Sequence, residues 1–555
     1  MLGAIQGINV VSSDISSSTI IGSSCAILIV IFLLQPFGIV KITVGFSPIV
    51  AIWLLFNLSV GIYNIAKYDF TVLKAFSPYF AGAYLVRNKE EGWRSLGGLL
   101  LAFTGVEALF ADLGAFSKRA IQISWLCFTF PCLLVAYIGQ AAYISSHPDD
   151  AAYANPFFKT LPPGTLIFGL IIAILAAVVA SQAMITSSFQ LLHQVMAMSY
   201  FPHIKTIHTS KIFHGQVYMP LPNFLLMIGT VVVTAVYSNT TNLGNAYGVC
   251  VILVTFITTC MVTLVALLVW RLPLAIVLLF FLIFGLLDGV YLSSALTKIP
   301  TGAWFTVVLS AILASIFVLW RYGKDSQWAA EASDRYSPSH LLTTNEDGEL
   351  KFTDAFGGAE IRTVAGLGVF FDKSGDKVPT VFAQFVLKFM ARTEVVVFFH
   401  MRALPVPTVG VEERYVITAT QGIPNCYRIT LRHGYADQVV TPDLGHMLAQ
   451  HLVLYITRDP TATLTDADGE SGTGVQGGKY SPEIAKQFEA LGRAADSQTV
   501  YIMGKEQMKI CKGTNVVRRL FLELFLWIRD NSRTKMADLN VPVDRLVEVG
   551  FVKEI

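Results

Sequence analysis

The stretch 103-FTGVEALFADLG-114 decides how the first half of this chain is read. It continues the apolar run that begins with "SLGGLLLAF" (95–103), the composition of a membrane-spanning helix, yet it contains Glu107 and Asp112. In a soluble helix two acids would need no explanation. At the centre of a bilayer each costs about 2.5–3.5 kcal/mol on insertion scales and needs a partner, water or an ion.

The composition favours the bilayer. The chain has 555 residues, 54% of them hydrophobic, and a mean hydropathy of +0.58. Its net charge of +2 conceals a division. Residues 1–320 carry 13 Lys/Arg and 9 Asp/Glu, whereas the last 235 residues carry 27 and 29. The first part suits lipid and the second suits water. A nearly neutral chain gives no reason to expect nucleic-acid binding. The seven cysteines, 25, 127, 132, 250, 260, 426 and 511, form no C-x-x-C and read as small core residues.

About 20 apolar residues cross about 30 Å of hydrocarbon. Nine segments qualify: 18–36, 44–65, 95–115, 121–144, 164–198, 221–237, 244–270, 272–293 and 302–320. Pro36-Phe37-Gly38, Pro162-Pro163-Gly164 and Pro220 with Pro222 punctuate them. Lys41, Lys118 with Arg119, Lys205 with Lys211, and Arg271 fall in alternate loops, and Arg321 and Lys324 follow the last span on the same side. The bias of basic residues makes that side cytoplasmic. The loop 66–94 dissents, with five basic residues on the other side, and reads as holding an interfacial helix. The expected division is a transmembrane domain over 1–324 and a cytoplasmic α/β domain over 325–555.

Within span 95–115, Glu107 stands near the middle and Thr104 three residues earlier, on the same helical face. Gly105 between them would loosen the helix and free carbonyls. Hydroxyl, carboxylate and carbonyl oxygens suit a hard cation, and a desolvated glutamate can take up a proton. A hydrogen bond to a neighbouring helix is the plain alternative. Asp112 reads as a cap or surface ion pair, and Asp288 as either a snorkelling or a functional acid. "SQAMITSS" (181–188) and "TFITT" (255–259) fit a polar path, but Ser and Thr are also ordinary packing residues in membranes. His203, His208 and His214 are spaced wrongly for a metal site, and "GLGVFF" (366–371) lacks the third glycine of a dinucleotide fingerprint.

Several blocks carry a family resemblance. "TGVEALFADLGAFSKRAIQISW" (104–125), "SQAMITSSFQLLHQ" (181–194) with "YFPHIKTIHTS" (200–210), "GQVYMPLPNFLLM" (215–227), "NAYGVCVILVTFITT" (245–259), "KIPTGAWF" (298–305) and "VPVDRLVEVGFVKEI" (541–555) occur in order. Together they resemble the Kup/HAK/KT family of potassium-uptake transporters, with details such as Gln6 closer to fungal members. The resemblance implies an inverted-repeat fold of the amino-acid/polyamine/cation-transporter kind, a cytoplasmic C-terminal domain, and potassium uptake coupled to protons. Thr104 then matches a cation-liganding threonine, Glu107 the acid of proton coupling, and Tyr247 a position facing the ion. The family's "YGDIGTSPLY"-type first-helix motif has no counterpart here. The expectation is therefore a chain lacking the first helices of that fold.

Functionally, potassium and protons are the expected substrates and the bilayer the expected solvent, in a multi-pass protein of the plasma membrane. No cofactor and no metal beyond transported potassium are expected, and a homodimer is left open. The alternatives are an amino-acid or polyamine carrier of the same fold, and a membrane sensor that does not transport. An enzyme is not expected, because the tail offers no nucleophile–base pair or phosphate loop. Residues 325–555 read as a mixed α/β domain: strands at "IRTVAGLGVFF" and "TEVVVFFHM", a helix at "VFAQFVLKFM" between them, a hairpin at "RYVITAT" and "CYRITLRHG", a helix over 516–530, and a flexible insertion over 466–483.

Overall fold

The computed structural model describes the chain apart from residues 12–14, 38, 104–116, 149–151, 153–154, 211–214, 238–239, 334, 346–348, 372–376, 438–443, 458–481, 512 and 533–542. The described chain divides into two compact units, Met1–Val318 and Leu319–Ile555.

The first unit is built from long apolar helices: α1 Ser17–Leu34, α2 Ile39–Lys67, α3 Pro78–Phe103, α4 Lys118–Ser146, α5 Leu166–Ala197, α6 Pro220–Val236, α7 Thr240–Leu268 and α8 Leu274–Leu296; α9, Trp304–Ser333, runs across the unit boundary. Among the described residues seven helices are long and apolar enough to cross a membrane. The 17 residues of α6 fall just below that length. The expected span 95–115 is described only to Phe103. The helix that enters it begins at Pro78, in the basic loop, and is broken at Lys89, whose φ of 47° is non-helical.

Local sequence explains the irregular turns. In α4, residues Trp125–Thr129 form a π turn that ends two residues before Pro131, which has no N–H to donate to the preceding turn. Ile299–Ala303 is a second π turn, where Gly302 takes a φ of 139° that a residue with a Cβ would resist. Leu278, Leu279, Phe280, Ile283 and Leu286 on α8 are all exposed, as a helix surrounded by lipid requires. Helices meet through small residues instead. A Cβ on Gly139 of α4 would stand 2.5 Å from Cα of Gly61 on α2, and one on Gly61 would stand 2.5 Å from the Val135 carbonyl oxygen. The two backbones are in direct contact.

The second unit is an α/β sheet. Its strands are β5 Arg362–Phe371, β6 Ala391–Ala403, β7 Tyr415–Ala419, β8 Cys426–His433, β9 Thr499–Lys509 and β10 Leu546–Glu554, following two short hairpins, β1/β2 (Ile207–His208, Val217–Tyr218) in the first unit and β3/β4 (Leu342–Thr344, Leu350–Phe352) in this one. The order across the sheet is β10-β9-β5-β6-β8-β7, with every pairing parallel except the β7/β8 hairpin at one edge. The run "VVVFF" (395–399) follows from this. A parallel strand covered on both faces is apolar without alternation. Val395, Val397 and Phe399 enter one core with helices α11 Leu444–Thr457 and α12 Pro482–Asp496, while Val396 and Phe398 enter the other with α10 Thr380–Phe389. Each such side chain contributes about 1.5–3 kcal/mol on burial. "GLGVFF" lies within β5, and Gly366, at φ 128°, permits a register slip between Val364 and Leu367 where the Gln498 carbonyl comes close.

The architecture is that of a polytopic helical membrane protein with a separate C-terminal α/β domain. Both the parallel β5–helix–β6 unit and the closing hairpin occur where the sequence implies them. The 466–483 insertion lies outside the described residues.

Candidate functional site

Thr104, Glu107 and Asp112 lie outside the described residues; Tyr247 is on α7, in its second full turn. Its neighbours Ala246, Gly248 and Val249 are buried, while Tyr247 is 37% exposed. A Cβ on Gly248 would stand 3.4 Å from the Gly97 carbonyl oxygen, so this turn packs on α3 seven residues before Thr104. The same region is held by Ser294 of α8. Its buried hydroxyl accepts from the Gly97 N–H at 2.9 Å and donates to the Arg94 carbonyl at 3.1 Å. The Gly302 turn closes it from α9: a Cβ there would meet the Asn242 carbonyl oxygen at 2.7 Å. Val249, Ile252, Ala295 and Ala303 form the apolar centre of this junction.

A second polar feature was less visible in the sequence. Gln35, at the end of α1, and Gln182, midway along α5, exchange amide hydrogen bonds of 2.5 and 2.9 Å. Both are buried, as are Thr186, Ser187 and Gln190 on α5 and Asn223 on α6. Gln35 Nε2 also donates to the Ile31 carbonyl at 2.9 Å, and Asn223 Nδ2 donates to the Phe32 carbonyl at 3.2 Å. "SQAMITSS" flagged the α5 side of this cluster. Its partner, Gln35, stands directly before Pro36 and reads as helix punctuation.

A third cluster joins α2 to the segment before α5. Asn64 Nδ2 donates to the Thr160 carbonyl at 3.0 Å, and Asn57, Gln140 and Thr160 line a cavity of about 10 Å³. That is space for about one water. The buried Asn64 Oδ1 and Thr160 Oγ1 have no hydrogen-bond partner among the described residues, and of the two only Thr160 lines this cavity.

Asp288 is resolved as an interhelical acid. Thr259 of "TFITT" donates to its Oδ2 at 2.6 Å, linking α7 to α8. Thr255 and Thr258 instead return their hydroxyls to the carbonyls four residues earlier, at 2.9 and 2.8 Å, an ordinary membrane-helix arrangement. His208 stacks edge-on to His193, ring centres 5.6 Å apart. Among the described residues no group of three potential ligands from His, Cys, Asp and Glu comes together. His214 lies outside them.

Two comparisons bear on this arrangement. Residues 1–325 match the K+ potassium transporter integral membrane domain. The chain belongs to the K+ potassium transporter family. Residues 365–555 match that family's C-terminal domain, so both structural units are covered. Among curated relatives, it is 32% identical to Potassium transporter 19 of Oryza sativa subsp. japonica over 562 residues, spanning 100% of this chain and 74% of that one. It is likewise 32% identical to Potassium transporter 5 of Manihot esculenta over 615 residues, 100% of this chain and 74% of the relative. To Potassium transporter 5 of Arabidopsis thaliana it is 30% identical over 601 residues, 100% and 73%.

Proposed function

We propose that this chain moves potassium across a membrane and that proton uptake at Glu107 is coupled to the movement. The observation that carries the reading is the family match across both units. In this reading Thr104 and Tyr247 supply oxygens to the cation and Glu107 changes protonation as the cation binds and leaves. Support for grouping them comes from the Gly97–Gly248 contact, which brings the helix of Tyr247 against the helix that leads to Thr104. Potassium gives up hydration water only where several oxygens replace it together. A membrane potential supplies about 2.3 kcal/mol per charge per 100 mV, and a proton moving with the cation adds to that.

The plasma membrane and a cytoplasmic position for residues 325–555 complete the reading, on the distribution of Lys and Arg among the loops. The test is rubidium uptake in cells lacking their own potassium transporters, measured across external pH. Glu107→Gln should abolish uptake or remove its pH dependence while the protein remains in the membrane. Wild-type uptake with a wild-type pH profile in that variant would overturn the assignment of Glu107.

A further inference from the structure

Helix α13, Val516–Asp530, is apolar on two faces. One face is used. Leu522 and Phe525 are fully buried, and the Phe525 ring lies 5.2 Å from that of Trp320, against Gly323, where a Cβ would overlap it. Trp320 ends the last apolar run, 302–320, and is followed by Arg321 and Lys324. A Trp followed by basic residues marks a membrane–water interface. A helix about 10–12 Å across that touches Trp320 is within reach of such a boundary.

The other face has no such cover among the described residues. Val517, Leu520, Phe521, Leu524 and Trp527 recur at helical spacing and are 45–66% exposed. Five large apolar side chains in a row, one a tryptophan, form a surface that water disfavours. The sequence of the helix and its flanks is one-sided in charge. Residues 509–535 contain seven Lys/Arg and two Asp/Glu. One of the acids, Glu523, is paired with Arg519 at 2.8 Å.

We propose that this stripe is seated in the membrane surface at the Trp320 end of the last span, so that α13 is an interfacial helix binding anionic lipid. The apolar side chains would enter the boundary between headgroups and acyl chains, and the basic residues would face lipid phosphates. A second copy of the chain could also cover an apolar stripe. The membrane is favoured because α13 is already fixed to the interfacial end of a spanning helix and because its charge complements an anionic leaflet. The inference rests on the membrane character of the chain and not on the identity of the transported ion.

The test uses the full chain in nanodiscs, with a benzoylphenylalanine in place of Trp527 and, as a control, in place of the exposed Glu489 on α12. Illumination should give a lipid adduct, seen as a mass increment, at position 527 and not at 489. Removing phosphatidylserine from a phosphatidylcholine mixture should lower the yield about fivefold, the factor expected for one basic side chain at an anionic surface. Leu520→Glu combined with Leu524→Glu should remove the adduct while rubidium uptake persists, which separates this result from any failure of the transport reading. A chain-to-chain adduct, no adduct at 527, or equal adducts at both positions would overturn the proposal. An unchanged yield without phosphatidylserine would overturn its anionic-lipid part.

Discussion

Replacing Gln182 by Met should destabilise the membrane unit, and replacing Gln35 as well should restore most of the loss. The two amides exchange hydrogen bonds of 2.5 and 2.9 Å in a buried site. Gln182→Met keeps the volume but leaves Gln35 Oε1 without its donor. A buried polar atom stranded this way costs about 1–3 kcal/mol. Interhelical hydrogen bonds in membranes average about 0.6 and reach about 1.7 kcal/mol, which favours the lower half of that range. Gln35 Nε2 retains the Ile31 carbonyl, so only one side of its amide is stranded. The expected loss is therefore about 1–1.5 kcal/mol for the single variant, and under about 0.5 kcal/mol for the pair, since two apolar side chains of similar shape strand nothing. Unfolding free energies of wild type, both single variants and the double variant form the cycle. A double variant that loses the sum of the two single losses would refute the claim that the amides act as a reciprocal pair.

Other consequences are as direct. Gly302→Ala should lower the thermal midpoint of the membrane unit, because φ 139° costs a residue with a Cβ about 1–3 kcal/mol before any overlap with Asn242; an unchanged midpoint would mean that the turn relaxes freely. Burial pushes the Cys426 thiol from 9.0 up to about 12, so at pH 8 it should resist a small maleimide while exposed Cys511 reacts. Stability at this site is intact below pH 9 and falls as pH rises toward 12, because the unfolded thiol ionises first, by at most about 1.4 kcal/mol per pH unit; a midpoint for Cys426→Ala that tracks the wild type between pH 8 and 11 would contradict this. Finally, cysteines placed at Ser238 and at Ser326 should differ toward an impermeant thiol reagent in intact cells, the first reacting and the second not; the reverse would invert the orientation drawn from Lys and Arg.

What could be read from the sequence followed periodicity and composition. The long apolar runs, the β5–helix–β6 unit and the β7/β8 hairpin were legible because burial imposes a pattern on neighbouring positions. Of the nine apolar runs, seven correspond to long apolar helices, 221–237 to the 17-residue α6, and 95–115 to a helix described only to Phe103. Helix α3 begins at Pro78 inside a charged loop, since charged residues are acceptable in helix that need not be surrounded by lipid. The Gln35–Gln182 pair was half legible: one glutamine stands in a polar string, while the other is 147 positions away and next to a proline. The pairing of Asp288 with Thr259 was hidden for the same reason, because chain separation carries no record of which helices meet. The order of strands across the sheet was likewise beyond local pattern. β9 lies beside β5 although α10, α11 and α12 and three strands intervene.

The contact between Gly61 and Gly139 limits how the membrane unit can work. With the Cβ positions of α2 and α4 already at the partner's backbone, these helices can neither slide by a turn nor roll without separating. They are a single plank. Any rocking that exposes a cation first to one side and then to the other has to carry α2 and α4 together and place its pivot elsewhere in the bundle. A bulkier residue at either glycine would act as a wedge in that plank, forcing the two backbones apart.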